Sequence, residues 1–575
     1  MSLQEIVEND LVQEDSSVWV LSEHSEFGYS DGVESERYLE KVFRGAKDLS
    51  SGSCELESHI KDWPSEYHLS TRRAQLFAGF DFDPSLKVLE VGCGCGAITR
   101  YLGERFHDVV SVEGSIKRAR LARLRTNELE SVSVICAPFQ EIRFSRKFDI
   151  IFCVGVYEYS ASFVDGEDPY DSVLDYFSEM MTPNGIVVIA IENQFGLKYF
   201  NSSREDHTGS SYDGLEGYHA DRKKVRTFGK IELENNLRRH FSNVEMFYPY
   251  PDYKLPNCVV SDEFLSSATA GEMISQIKSR DYYGAMRRPW DESLVSIELS
   301  RNELLPVFSN SFLAFAGKSE MAGVSFPQLA AMVSFDRIDK FRTQTRIYFA
   351  ETGDAVVSKS LLSGDKQADL GKLSLHESRS NWQDSYSLQT RIYQNCMSNV
   401  KQLGEMFAPC RVWLDFLEDQ SEIVDGEKYV DGSLIDCNFA NAYLRSGKIV
   451  LVDNEWRWKE RIRVNVIVIR AIFTFLLRID DTRRLPEILQ VRSYRRLISR
   501  IAESIGVNLS KNDFSRFVEL ESEFQSLVSN SNQQRNSRMC RWILADKPSL
   551  FAVRSLRAVW VKFALRLKRA IARLH

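Results

Sequence analysis

The chain has 575 residues, 43% of them hydrophobic and 27% charged, with a formal net charge of −8. That length exceeds one hydrophobic core and predicts two or three domains of a soluble globular kind. The negative balance gives no general attraction for nucleic acid, so no nucleic-acid partner is expected. Charge is nonetheless uneven, acidic in the opening residues and basic in the closing ones. The 10 cysteines form no paired C-x-x-C framework of zinc-site type, which points to a reducing, cytosolic compartment. No basic-then-apolar leader is visible, and no uninterrupted apolar run reaches the roughly 18 residues of a membrane span.

Residues 1–60 are polar and rich in Ser and Glu, and are expected to be partly ordered at most. A domain over 61–265 opens on Trp63–Phe77, where Ser70 reads as the N-cap of a helix leading to the first strand. Tyr67, His68 and Arg72 there are either lid residues over a ligand or parts of a packing helix. Leu86–Val91 is a short apolar run of the buried-strand kind. Gly92, Gly94 and Gly96 follow at once, then Ala97–Arg105 reads as a helix and Val109–Val112 as a second strand, half of a Rossmann-type unit. Glu113 stands at the end of that strand, about 20 residues beyond the first glycine, where a carboxylate can accept hydrogen bonds from a ribose diol. A helix over Lys117–Glu130, strands over Val132–Cys136, Phe148–Val154 and Gly185–Glu192, a helix over Asp171–Met181 and a turn at Pro183-Asn184-Gly185 continue the alternation. It predicts a doubly wound α/β domain.

The glycine spacing G-C-G-C-G, with Glu90 just before it, departs from the G-x-G-x-x-G of nicotinamide enzymes. This stretch resembles class I S-adenosylmethionine (SAM) methyltransferases. The resemblance implies that Glu90, Gly92, Gly94 and Gly96 face the methionine part of SAM and that Glu113 binds the ribose hydroxyls. It places Pro138 and Phe139 at the adenine, although Phe139 reads equally well as a core residue. Gly155, with the loop to Tyr159, takes the position of the family's acceptor-facing loop.

Past Glu192 the chain becomes polar and glycine-rich, through Asn193–Phe200, Glu205–Gly209, Tyr212–Tyr218 and Tyr248–Pro256. These segments cluster aromatic, acidic and basic side chains near the C-terminal ends of the strands, where ligands bind an open sheet. Aromatic faces with carboxylates suit a sugar, and the segments resemble bacterial methyltransferases encoded among surface-polysaccharide genes. The alternative is an elaborated loop that only orders the sheet edge. For a hydroxyl acceptor the candidate general bases are Asp206, His207 and Glu192. For a phosphate acceptor, already anionic, Lys198, Arg222 or Lys254 would matter more.

Residues 266–335 carry no motif and read as a connecting segment followed by helix. A hairpin follows from Phe341, turning at Gly353-Asp354, with Lys359 in its second strand. Further on comes Tyr429–Asn441, then a strand over Lys448–Val452 ending at Asp453. The D-x-x-x-x-N spacing of Asp436 and Asn441, with Asp453 after a short strand and Lys359 upstream, resembles the catalytic set of protein-kinase-like enzymes. The resemblance implies Asp436 as base, Asn441 and Asp453 as Mg²⁺ ligands and Lys359 as the ATP phosphate contact. The departures are Leu434 where that family often has histidine, Asn454 where it has an apolar residue, and no glycine-rich loop before Lys359. Glu377 is offered as the lysine's partner. A pseudokinase that binds a glycan or nucleotide is the alternative.

Residues 481–548 are helical by composition, with Phe514, Phe517, Leu520, Phe524 and Leu527 at helical spacing, as in a bundle or short coiled coil. Residues 549–575 read as a basic amphipathic helix, suited to a membrane interface or to docking on a protein, such as a partner glycosyltransferase. The fold class expected is therefore α/β: a doubly wound Rossmann-like methyltransferase domain at 61–265, an α+β kinase-like domain at 336–480 and a helical C-terminal tail. The order is similar to that of bifunctional enzymes that terminate bacterial O-antigen chains by phosphorylating and then methylating the glycan end. That similarity implies SAM, with ATP and Mg²⁺, as cofactors, a glycan or lipid-linked saccharide as substrate and a cytoplasmic site at the inner membrane face. A methyltransferase with a non-catalytic scaffold module is the competing expectation, and methylation of a protein or small molecule is a third.

Overall fold

The computed structural model describes residues 3–14, 17–22, 32–164, 166–218, 225–267, 269–284, 288–479, 486–489, 493–529 and 531–545. The chain divides into two compact units, Met1–Val333 and Ser334–His575.

The strands of the first unit are β1 (Leu11–Gln13), β2 (Trp19–Leu21), β3 (Asp81–Phe82), β4 (Lys87–Val91), β5 (Asp108–Glu113), β6 (Val132–Cys136), β7 (Phe148–Val154), β8 (Met181–Glu192), β9 (Asn243–Tyr250), β10 (Cys258–Ser261), β11 (Ser311–Gly317), β12 (Val324–Ser325) and β13 (Ala330–Val333). Apart from the short β3–β12 pair, they run in the order β1-β2-β6-β5-β4-β7-β8-β11-β9-β10-β13. The ladders from β2 to β8 outside β1 are parallel, whereas β11 is antiparallel to both β8 and β9. Val88, Leu89 and Val91 of β4 are buried, as a parallel strand covered on both faces requires. From β4 the chain steps outward to β5 and β6, then returns to β7 on the other side of β4. That reversal opens a crevice at the carboxyl ends of β4 and β7.

The Rossmann-like expectation holds, with corrections at its margins. The opening residues are ordered into the sheet: β2 pairs in parallel with β6, Trp19 opposite Ile135. The helix Val33–Gly45 buries Leu39, Val42 and Phe43, an apolar stripe at helical spacing inside a polar segment. The helix expected after Ser70 is a single turn, Arg72–Gln75, whose N-cap position is Thr71 rather than Ser70, although Ser70 Oγ accepts the Arg72 N–H at 3.3 Å. Ser70 itself ends a preceding helix, Trp63–Leu69, capped by Asp62 in a reciprocal box with Ser65. The expected turn at Pro183–Gly185 lies inside β8, where the register passes from Phe148–Met181 to Ile150–Ile186 and the intervening residues bulge. The helix expected to reach Glu130 is Ile116–Arg125 and ends at Thr126. The presumed connecting segment contributes β11, fully buried between β8 and β9.

In the second unit, β14 (Thr343–Phe349) and β15 (Ala355–Leu361) form the expected hairpin, with Lys359 opposite Thr345. Then come β16 (Gln367–Leu370), β17 (Leu373–His376), β18 (Ser378–Asn381), β19 (Glu422–Val424), β20 (Glu427–Val430), β21 (Ala442–Arg445), β22 (Lys448–Leu451), β23 (Trp456–Trp458) and β24 (Ile462–Arg463). The helix Val464–Arg478 is apolar almost all round and is buried accordingly. The helices Tyr494–Ser504, Lys511–Ser529 and Gln533–Leu544 do not form a separate tail. Phe514, Phe517 and Phe524 belong to the same core as Trp413 and Phe475, with Phe524 5.5 Å from Trp456 between ring centroids. Among the described residues no helix is long and apolar enough to cross a membrane. The basic segment 549–575 lies outside the described residues, as does Arg222.

Phe43 is 2% exposed, with the Arg125 guanidinium 5.5 Å from its ring. Phe43→Ala is therefore expected to cost about 3–5 kcal/mol. Denaturant unfolding checks this, and an unchanged midpoint would mean that the helix Val33–Gly45 does not pack as described.

Candidate active site

The crevice at β4 and β7 holds a cavity of ≈ 230 Å³. Its floor is the glycine loop. Gly92, Gly94 and Gly96 have φ of 72°, 58° and 83°, the left-handed region that glycine enters without strain. A Cβ on Gly92 would lie 2.4 Å from Val156 Cγ2, so the loop after β4 and the loop after β7 touch where only hydrogen fits. Glu113, 4% exposed, accepts hydrogen bonds from the backbone N–H groups of Gly94 (2.8 Å) and Ser115 (3.0 Å) and faces the cavity. Burial pushes the Glu90 carboxyl up to about 7, against the hydrogen bond that Ser111 Oγ donates to it at 2.7 Å. Pro138, Phe139 and Gly155 also line the cavity, which brings together the expected residues of this unit except Gly96, which packs against the helix Ile116–Arg125, where a Cβ would lie 2.7 Å from Ala122 Cα. Phe139 serves both of its readings, lining the cavity while packing 5.6 Å from Tyr176. A buried acid on β5, left-handed glycines and an apolar wall at Pro138–Phe139 fit a nucleoside with an amino-acid tail. Of the lid candidates, Tyr67 and His68 line the cavity, whereas Arg72 is replaced there by Arg73, whose guanidinium covers the Tyr67 ring at 4.3 Å.

The other end of the cavity is a buried network of charges. Glu192 closes β8, Glu158 lies in the turn Tyr157–Tyr159 after β7, and His207, Asp206 and Lys254 come from the long loops beyond. His207 Nε2 stands 3.4 Å from Glu192 Oε2, and Tyr159 Oη is 3.0 Å from His207 Nδ1. Asp206 Oδ2 accepts from both Lys198 Nζ and Lys254 Nζ at 2.8 Å, and Lys254 also pairs with Glu192. Asp206 thus stands clamped as a counter-ion, and neither lysine is free to meet a phosphate. Burial alone would raise the Glu192 carboxyl, but the Lys254 ammonium and His207 hold it well below the usual carboxylate range. Burial alone would lower the His207 imidazole, but the Glu192 carboxylate lifts it to about 9. Burial, with the Glu192 charge adding to it, pushes Glu158 up to about 8. Glu158 was not singled out as a site residue from sequence. It stands between two tyrosines in what reads as a loop, and only the fold brings it to Glu192.

In the second unit Lys359 Nζ pairs with Asp453 and lies 3.1 Å from Glu455 Oε1. Glu455, itself paired with Arg337 at 2.6 Å, is the lysine's glutamate partner, not Glu377. Asp453 has φ 57°, a strained backbone for a residue with a side chain. Burial would raise its carboxyl, but the Lys359 ammonium holds it below the usual range. Asn441 Nδ2 donates to Asp436 Oδ2 at 3.0 Å, and the Val452 N–H donates to the Asn441 carbonyl at 2.9 Å, which brings the 436–441 loop beside Asp453. Arg470 also donates to Asp436, at 2.6 Å, and to Glu521 at 2.9 Å.

Residues 89–189 match the family described as a methyltransferase domain. The chain is 21% identical over 212 residues to an uncharacterized protein of Rickettsia prowazekii (strain Madrid E), covering 34% of this chain and 76% of that one. It is 30% identical over 87 residues to the malonyl-[acyl-carrier protein] O-methyltransferase of Priestia megaterium, covering 15% of this chain and 31% of that enzyme. Among solved structures, the N-methyltransferase NodS of Bradyrhizobium japonicum WM9, in complex with S-adenosyl-L-homocysteine, is 18% identical with a TM-score of 0.20, covering 28% of this chain and 74% of that one. At that score the likeness carries no argument. The matched stretch runs from β4 into β8 and so contains the glycine loop, Glu113, Phe139 and Glu158. The first unit carries a SAM-dependent methyltransferase domain, and SAM is its cofactor.

A raised carboxyl pKa means that the folded state holds a proton the unfolded chain releases. Glu90 therefore adds nothing below pH 4.5, and stability falls as pH rises from there through about 7. The fall amounts to about 3 kcal/mol, and Glu90→Gln is expected to remove it. Urea midpoints of variant and wild type should diverge from pH 5 to pH 8, and parallel profiles would overturn the assignment. Independently, Gly92→Ala is expected to weaken SAM binding at least tenfold by calorimetry, about 1.4 kcal/mol, because its Cβ displaces Val156.

Proposed function

We propose that the chain methylates an oxygen of a saccharide, or of a phosphate carried on one, during bacterial surface-polysaccharide synthesis. When bound, SAM supplies an electrophilic methyl group. The observation that carries the reading is the composition of the acceptor end: Trp63, Tyr67 and Tyr159 line a cavity whose far wall holds Glu158, Asp206 and His207, with Glu192 paired to His207 behind it. Aromatic faces receive the apolar side of a pyranose, and the charged wall receives its hydroxyls. His207, backed by Glu192, positions the acceptor oxygen and, in its deprotonated fraction, takes the proton of a hydroxyl, while Asp206 fixes Lys254 and through it Glu192. The Priestia relative is itself an O-methyltransferase by name, which agrees with an oxygen acceptor.

The second unit is proposed as a kinase-like module that phosphorylates the glycan end before methylation, with Lys359 on the ATP phosphates, Asp453 and Asn441 on Mg²⁺ and Asp436 toward the acceptor. The convergence of Lys359, Asp453 and Glu455 and the strained φ of Asp453 support this. One observation favours the second reading, a non-catalytic module: Asp436 Oδ1 is engaged by Arg470 at 2.6 Å and by Asn438 at 3.0 Å, so its carboxylate is already spoken for as an ion-pair partner. We place the acceptor at the inner membrane face, and the basic segment 549–575 as what holds the enzyme there.

Two measurements test these readings. His207→Ala is expected to reduce methyl transfer to a saccharide acceptor by roughly 10²-fold or more while leaving SAM affinity within a few-fold. Equal methyl incorporation with and without saccharide would defeat the acceptor assignment. For the second unit, calorimetry should show Mg²⁺-dependent ATP binding to the full chain that Asp453→Ala abolishes. Absence of binding to the wild type would leave the non-catalytic module standing.

A further inference from the structure

We propose that Glu158, Glu192 and His207 form a binding site for a divalent cation at the acceptor end of the methyltransferase cavity. The inference rests on the reading of that end as the place where the acceptor oxygen sits. One atom from each of the three side chains lies within 4.8 Å of the other two. Ligands at right angles on a cation with ~2.1 Å bonds stand ~3 Å apart, so small side-chain rotations close the set. Two carboxylates and one imidazole, with positions left open toward a cavity, are a donor set for Mn²⁺, Fe²⁺ or Zn²⁺ rather than for a purely oxygen-seeking ion.

Two further observations point to a cation. First, Glu158 is fully buried, and neither of its carboxylate oxygens has a hydrogen-bond partner, although the side chain borders the cavity. A buried carboxyl in that state costs free energy until something binds it. Second, the outer contacts suit metal ligands. Tyr159 Oη lies 3.0 Å from His207 Nδ1 and orients the ring so that Nε2 faces Glu192, where a cation would replace the shared proton. Lys254 pairs with Glu192 Oε1 and leaves Oε2, the oxygen nearest His207, for the cation. Such second contacts fix the orientation of ligating side chains. A cation held there would bind the acceptor oxygen and lower the pKa of a hydroxyl, or pair with an anionic oxygen.

The test uses the full chain, freed of metal by chelation, and Mn²⁺ alone without nucleotide, followed by electron paramagnetic resonance of the free ion. The wild type and Asp453→Ala should bind Mn²⁺ alike, whereas Glu158→Gln and His207→Ala should each lose at least tenfold in affinity. Retained S-adenosyl-L-homocysteine binding certifies that each variant is folded, and if one fails that check the other decides. The proposal is overturned if the wild type binds no Mn²⁺, if binding depends on Asp453, or if a folded variant binds as the wild type does. Methyl transfer to a saccharide, measured on the same samples, separates the two readings. Mn²⁺ binding without transfer defeats the acceptor assignment, and transfer without Mn²⁺ binding defeats the cation site.

Discussion

Asp206 between its two lysines is the interaction on which the acceptor side of the first unit depends. Its carboxylate is 2% exposed and meets Lys198 at 0% and Lys254 at 11% side-chain exposure. Each of these charges, taken alone out of water, would cost several kcal/mol, and removing one partner of such a set destabilises far more than replacing all of them. The long excursion after β8 is therefore tied down. Lys198 sits in the first helical turn past the strand, Asp206 at the far side of the loop and Lys254 beyond β9, and they must meet for any to stay charged. Lys254 carries the constraint onward to Glu192, and Glu192 to His207. The positions of the charged groups at that end of the cavity follow from electrostatic necessity rather than from local backbone preference.

The cofactor side obeys a different rule, and that difference explains what was legible in the sequence. The loop from Glu90 to Gly96 and the acid at Glu113 are set by adjacent residues: a buried parallel strand, glycines with left-handed φ and a carboxylate ending the next strand. Each piece has a short-range signature, so the fold of this half and its cofactor could be read from spacing. Where the reading failed, a longer-range choice decided. Ser70 is a good cap residue by type, but the reciprocal bond of Asp62 with Ser65 starts a helix before it, so Ser70 closes that helix and Thr71 precedes the next turn. The apolar run in Ser311–Gly317 signals a buried strand by composition, but its place between β8 and β9 depends on the sheet edge left by segments far away in sequence. Leu39, Val42 and Phe43 carried the helical stripe that a polar average concealed.

The second unit shows the same division. Lys359 in a hairpin strand and Asp453 after a short strand were visible from pattern, and the structure brings their side chains together. The glutamate that completes the pair was not, because Glu455 follows Asp453 by two residues and gains its role only when β17 and β23 pair and Arg337 folds over it. The helices past residue 493 looked like an independent bundle, since their apolar stripes name no partner. In the fold those stripes close the core around Trp456 and Phe473, with Arg470 reaching from the buried helix to both Asp436 and Glu521.

A cofactor used by many proteins is met by a contiguous stretch that one strand–loop–helix can build. The other end of the cavity is built from Tyr67, Glu158, His207 and Lys254, with Glu192 behind them, drawn from five separate segments, the charged ones held by mutual charge. Changing one of these alters the protonation and position of its neighbours through the shared network, because the low-dielectric surroundings transmit each charge with little screening. Glu158 is the member least constrained by partners, since its carboxylate makes no hydrogen bond while the others are paired. It is consequently the position at which a bound group, whether proton, cation or substrate, exerts the largest leverage on the rest of the wall.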